Sequence, residues 1–231
     1  MLGVLAAGAV YATMPSGPTA RTPLHAVVHR SPAPSAESST STTGSTSTTT
    51  TTTDPGALPQ TDQFPPADSP QFAAQMQALW QGVVSGSVTP ALPSFFPRSA
   101  YIQLKTGIAN PAGDWQNRLV ADFGLDLEAA HALLGPDPAA ASFENVSVPE
   151  QYGHWIPPRV CANGIGYYEV ANARVVYVVG GQTRSFGIAS LISWRGTWYV
   201  VHLGAILRPS AAGTVDDPEI GPGTSAPSRT C

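Results

Sequence analysis

Apolar and polar positions are most regularly patterned between Ala173 and Gly204, ARVVYVVGGQTRSFGIASLISWRGTWYVVHLG. Two short interruptions, Gly180-Gly181 and Arg195-Gly196, have the character of hairpin turns, so the stretch predicts three antiparallel strands. A two-residue turn at Arg195-Gly196 pairs Trp194 with Thr197, Leu191 with Val200 and Ala189 with His202. One face then carries Val175, Tyr177, Val179, Phe186, Ile188, Ser190, Ile192, Tyr199, Val201 and Leu203, and is expected to be core. The other carries Arg174, Val176, Val178, Ser185, Gly187, Ala189, Leu191, Ser193, Trp198, Val200 and His202. That second face is mixed, and more apolar than a solvated face requires.

Upstream the period changes. Phe72, Met76, Leu79, Trp80 and Val83 form one helical stripe, with Ser69-Pro70 as cap and first turn and Gly82 to Gly86 as its end. Phe95-Phe96-Pro97 predicts a buried corner, followed by a short helix from Pro97 to Lys105. Trp115, Leu119, Phe123, Leu127, Ala130 and Leu134 recur every three or four positions, which predicts a long amphipathic helix capped by Asp114 and stopped by Gly135-Pro136. Ser142 to Val148 alternates as a strand, and Gln151 to Pro158 reads as an aromatic loop. Ile165 to Val170 is expected to be a strand that hairpins onto Ala173 to Val179 through Ala171-Asn172. Helices followed by about five strands predict an α+β domain, its N-terminal helices packed on one face of a curved antiparallel sheet.

That element order over roughly Ser69 to Arg208, with the strand pair SFGIASLISWRGTWYVVHLG, resembles the NTF2-like and cystatin-like group. The resemblance implies a long helix lying across the sheet and a cavity between them. Phe95-Phe96-Pro97-Arg98 together with the Ile192 to Gly204 hairpin is similar to uncharacterised exported proteins of high-GC Gram-positive bacteria. This second resemblance implies a location and no activity.

Composition narrows the function classes. Only 11% of the 231 residues are charged, the formal net charge is -4, and Lys105 is the sole lysine. Nucleic-acid binding needs clustered basic residues to neutralise phosphates, so it is not expected. Residues 1–14 are a short apolar run, expected to be an export or anchor segment with an incomplete start and the chain's only membrane contact. Residues 15–68 are rich in Ser, Thr and Pro and are expected to be a linker, because such a segment buries too little apolar surface to offset its ordering entropy. The globular domain is expected at 69–208 and a Pro/Gly-rich tail at 209–231. The expected location is therefore extracytoplasmic, secreted or tethered to the envelope. Two cysteines in such a chain suggest a disulfide between Cys161 and Cys231.

Candidate chemistry is sparse. Tyr177, Ser190 and Tyr199 are the hydroxyls of the predicted core face: they line a ligand pocket, or they are buried and satisfied by backbone carbonyls. Glu128 and His131 stand three apart on the long helix, but a single such pair makes no metal site and reads as a solvated face. Arg174, Val176, Val178, Leu191, Trp198, Val200 and His202 form a predicted interaction face, covered by a second copy, an envelope partner or the C-terminal tail, with Arg174 and His202 at its rim. No catalytic residue, metal or cofactor is assigned. Three readings follow: a non-catalytic binding domain, an NTF2-like isomerase or hydrolase acting on a small apolar ligand, and a structural assembly domain.

Overall fold

Helix α1 (Pro70–Ser85) forms where the apolar stripe predicts it. Ser69 Oγ accepts the Phe72 N–H at 3.1 Å, and Gly86, at φ 59°, ends the helix in the left-handed conformation. Its stripe of Phe72, Met76, Leu79, Trp80 and Val83 is buried. Helix α2 (Val88–Ala91) approaches α1 so closely that a Cβ on Gly82 would stand 2.4 Å from the Ala91 Cβ, which only glycine permits. Helix α3 (Arg98–Leu104) follows the Phe95-Phe96 corner. The long helical stretch runs as α4 (Pro111–Asp114), a π turn at Trp115–Leu119 and α5 (Val120–Ala132). Its cap is Asn110, whose side chain accepts the Gly113 N–H at 2.9 Å, and not Asp114. Asp114 sits inside the first turn and holds Arg118 at 2.6 Å. The structure, a computed structural model, describes residues 53–208 and 210–227.

Eight strands are present among these residues: β1 (Ser142–Ser147), β2 (His154–Ile156), β3 (Tyr167–Val170), β4 (Ala173–Val179), β5 (Gln182–Ile188), β6 (Ser190–Trp194), β7 (Thr197–His202) and β8 (Asp216–Ile220). They form two four-stranded antiparallel sheets, ordered β1-β4-β5-β8 and β2-β3-β6-β7. The α+β class holds, with more strands than the sequence pattern suggests. The hairpin expected between Ile165–Val170 and β4 does not form. Instead β3 pairs with β6 through Val170 and Leu191, and β4 pairs with β5 through Ala173 and Ile188. The two pairings share one register, so they lie end to end as a single long ladder, bent at Ala171-Asn172 on one side and at Ala189 on the other. Asn172 makes the bend at φ 52°, a left-handed conformation that Asn tolerates. Gly187 makes room for it, since a Cβ there would stand 2.1 Å from Asn172 Oδ1. A local αL residue therefore bends the chain where the sequence pattern suggested a reversal.

The β6–β7 hairpin keeps the expected pairs Trp194 with Thr197 and Leu191 with Val200, across a turn whose Arg195 and Gly196 have φ of 54° and 72°. Two positive φ values in sequence match the right-handed twist of the strands. His202, however, pairs with Ser190 and not with Ala189, because Val201 is an extra residue on β7. A one-residue bulge reverses which side a residue faces. His202 thereby joins Ser190 and Ile192 and leaves the predicted interaction face.

The rest of that face is not bare. Leu191, Trp198 and Val200 are each 0% exposed. Phe95 bridges to Val200 in parallel, which sets both side chains on one side, and its ring stacks on Phe123 of α5 at 4.5 Å. Val200 is therefore core. Trp198 is capped by the segment Asp54 to Pro65, placed in the linker by composition. Phe64 packs edge-on to Trp198 and Tyr168, and Trp198 Nε1 donates to the Pro65 carbonyl at 3.0 Å. On the opposite side of the hairpin, Trp194 Nε1 donates to the Pro55 carbonyl at 3.1 Å. Between them Gln60 accepts the Arg195 N–H and donates to the Ser193 carbonyl, so the segment straps around the hairpin tip.

The tail, too, is partly structured. Strand β8 pairs with β5, and Gly223 lies against the Arg174 guanidinium, where a Cβ would come within 2.5 Å of it. Arg174 is 1% exposed, bonded to Asn172 and Ser185 and within 3.7 Å of Asp217 and 3.5 Å of Glu219. It is thus a structural anchor for the tail, and not a rim residue beside His202. Val176 is buried and Val178 half-buried on the same sheet. Cys161 lies in the loop before β3, whereas Cys231, its expected partner, falls outside the described residues, as do the apolar run at 1–14 and the Ser/Thr tract.

Candidate ligand site

The bulge at Val201 and the bend at Ala189 build a cavity between α3 and the sheet that contains β3, β6 and β7. Its volume is about 250 Å³, and its walls come from Phe96, Tyr101, Leu104, Lys105, Cys161, Tyr167, Glu169, Ser190, Ile192, Val201, His202 and Ile206. Apolar side chains make most of this surface. An apolar cavity of about 150 Å³ accommodates benzene, so this one has room for a single ring with a short substituent.

Glu169 is its central polar group. Strand β3 alternates, turning Tyr167 and Glu169 into the cavity, and Glu169 as a residue is 8% exposed. Ser190 Oγ donates to Glu169 Oε1 at 2.8 Å, across the β3–β6 ladder. The second oxygen, Oε2, lies 3.8 Å from His154 Nε2 on β2, beyond hydrogen-bond distance, and that nitrogen has no hydrogen-bond partner. One carboxylate oxygen is therefore fixed and the other retains unused acceptor capacity.

His202 is held neutral. Burial pushes its pKa down from 6.5 to about 4, and the positive charges of Arg118, Lys105 and Arg208 add to the shift. Lys105 enters from the C-terminal end of α3. That end is docked on the loop before β3, with Gly164 N donating to the Leu104 carbonyl at 2.7 Å and Thr106 N to the Ala162 carbonyl at 2.9 Å. Among the described residues its ammonium donates only to the Cys161 carbonyl, at 3.4 Å. Burial, then the charge of Arg118, lowers its pKa, and Glu169 opposes that shift.

Two tyrosines complete the polar wall. Tyr167 receives a hydrogen bond from Asn163 Nδ2 at 2.9 Å, and burial raises its pKa to about 12. Tyr101 donates to Asp114 and accepts from Arg118 at 3.2 Å, and burial raises its pKa also. The Arg118 hydrogen bond in turn holds the Asp114 carboxyl below the usual carboxylate range. The rim is set by the loop carrying Ile206. Asp126 of α5, 0% exposed, ties that loop down by accepting from Gly204 N and Thr214 N, each at 2.9 Å, and by pairing with Arg208.

The three hydroxyls predicted for a pocket do not converge. Ser190 lines this cavity. Tyr177 packs among Trp80 and Phe186, and Tyr199 lies against Phe96; burial raises the pKa of both phenols. His202, assigned to the opposite face, is in the cavity, and Arg174 is on the other sheet. Glu169, Lys105, Tyr101 and Tyr167 were not singled out as site residues. A charged residue within the apolar strand YYEV and the chain's only lysine were the signals available for two of them. His131, read as part of a solvated face, lies within hydrogen-bond distance of the Val83 carbonyl at the end of α1, 3.0 Å from it. No cluster of three metal-ligating side chains occurs among the described residues. The chain matches no family model, no curated protein and no solved structure.

Proposed function

We propose that this protein is a binding domain for a small, mostly apolar ligand, which it takes into the Glu169 cavity. The observation that carries the reading is the buried Glu169, one carboxylate oxygen bonded to Ser190 and the other without a hydrogen bond, 3.8 Å from His154, in a pocket whose walls are mostly apolar. Buried sites of this kind combine apolar walls with a few convergent polar groups that orient the ligand. Glu169 accepts a hydrogen bond from a hydroxyl or amino group on the ligand, and the ring or chain behind that group lies against Leu104, Phe96 and Ile192. In this reading the fold is a variant of the NTF2-like arrangement, in which helices and a bent sheet enclose the ligand. The Ser/Thr-rich tract and the preceding apolar run support an exported or envelope-tethered location for the domain, with Cys161 and Cys231 joined.

Calorimetric titration of the full chain with phenol, benzylamine and toluene tests this. Phenol and benzylamine are expected to bind and toluene to bind more weakly. Glu169→Gln should weaken phenol binding about tenfold or more, the range for a hydrogen bond to a charged acceptor. Equal affinity for phenol and toluene, unchanged in Glu169→Gln, would remove the carboxylate from the reading.

A further inference from the structure

The cavity contains a nucleophile that ligand orientation alone does not use. Lys105 is the sole lysine of the chain, and it lines a mostly apolar pocket in company with Glu169, His202, Tyr101 and Tyr167. Among the described residues no carboxylate lies within ion-pair distance of its ammonium, whose one hydrogen bond is the long contact to the Cys161 carbonyl. A lysine on a protein surface is ordinarily solvated. One placed in a mostly apolar cavity with no carboxylate in ion-pair contact is more readily a free amine, and so a nucleophile toward carbonyl groups.

We propose that Lys105 captures the carbonyl carbon of a small aldehyde or ketone in this cavity as an imine. The proposal rests on the Glu169 cavity being the ligand site, and it narrows the ligand class to compounds bearing both a hydroxyl and a carbonyl. The hydroxyl donates to Glu169 and the carbonyl faces Lys105. The neutral amine attacks the carbonyl carbon, forming the C–N bond while the C=O π pair moves to oxygen. The nitrogen gives up a proton and the oxygen gains one, which yields a carbinolamine. Loss of that oxygen as water leaves the C=N bond. Amine and carbonyl thus give imine and one water, with no oxidant or reductant, and hydrolysis reverses the step. His202, which lines the same cavity from β7, relays protons between nitrogen and oxygen, and Glu169 offsets the charge of the protonated imine.

Burial and the nearby Arg118 both lower the Lys105 pKa, and each unit of lowering raises the neutral fraction at pH 7 about tenfold. The test uses the full chain with 4-hydroxybenzaldehyde and sodium cyanoborohydride at pH 7, read by intact mass and peptide mapping. One reduced adduct is expected on Lys105, formed faster than on N-acetyl-lysine amide. Lys105→Arg should lose that adduct. Labelling confined to the N-terminal amine, or Lys105 labelling no faster than the free amide, with phenol binding intact, would overturn the imine and leave the cavity reading standing. If neither phenol nor 4-hydroxybenzaldehyde binds or labels, both readings fall.

Discussion

His202 shows how far one inserted residue can redirect a side chain. In an unbulged β7 it would face away from the cavity; with Val201 extruded it faces Ser190 and shares a wall with Glu169. Nothing in the stretch YVVHLG signals that bulge, because each residue in it suits either face. The same holds for Ala189, whose small side chain fits a strand or a kink. Enclosure gives His202 a measurable consequence. Its folded pKa of about 4 lies below the ordinary 6.5, so between those values the unfolded chain binds the extra proton and the folded one does not. Stability therefore falls as the pH drops through that window, by at most about 3 kcal/mol from this group, and is unaffected by it above neutrality. Urea unfolding of wild type and His202→Asn at pH 5 and pH 7 checks this. The wild type should lose more stability between the two pH values than the variant does, and identical losses would contradict a buried neutral histidine.

At the scale of elements, a repeating apolar period is legible in the sequence, and the single residues that cap, bend or bulge an element are less so. The caps and stripe of α1 and the register of the β6–β7 turn are local features, set by Ser69, Gly86 and Arg195-Gly196, and could be read directly. A left-handed Asn serves a bend as well as a turn, so the sequence around Asn172 fits either. The strap from Asp54 to Pro65 was placed in the linker because its own residues are Pro, Gln and Asp. What orders it is tertiary: the indoles of Trp194 and Trp198 each need an acceptor, and Pro55 and Pro65 supply carbonyls on opposite sides of the hairpin. Composition cannot report a partner more than a hundred residues away in sequence. Two measurements follow from this placement. Limited proteolysis of the native chain should leave a core protected back to about Asp54, and rapid cleavage between Asp54 and Ser69 would contradict the strap. Phe64→Ala should cost about 2 kcal/mol, below the ~3–5 kcal/mol of a fully enclosed phenylalanine because Phe64 is only partly buried. It should also shift tryptophan emission to longer wavelength as Trp198 gains water.

For the whole molecule, the predicted class was recovered and the predicted functional surface was not. Val200 and Trp198, on the face expected to be covered by a second copy, a partner or the C-terminal tail, are enclosed within the chain, and of the polar groups divided between the two faces only Ser190 and His202 meet in the cavity. Phe95, Phe123 and the strap cover Val200 and Trp198, whose register is as expected, while the bulge at Val201 turns His202 toward Ser190. The account rests on a ligand occupying that cavity with its donor on Glu169. A crystal structure of the full chain grown with phenol tests this most directly. The predicted result is a ring lying among Leu104, Phe96 and Ile192 with its hydroxyl within hydrogen-bond distance of Glu169. Phenol bound elsewhere, or a cavity that stays empty at saturating phenol, would contradict it.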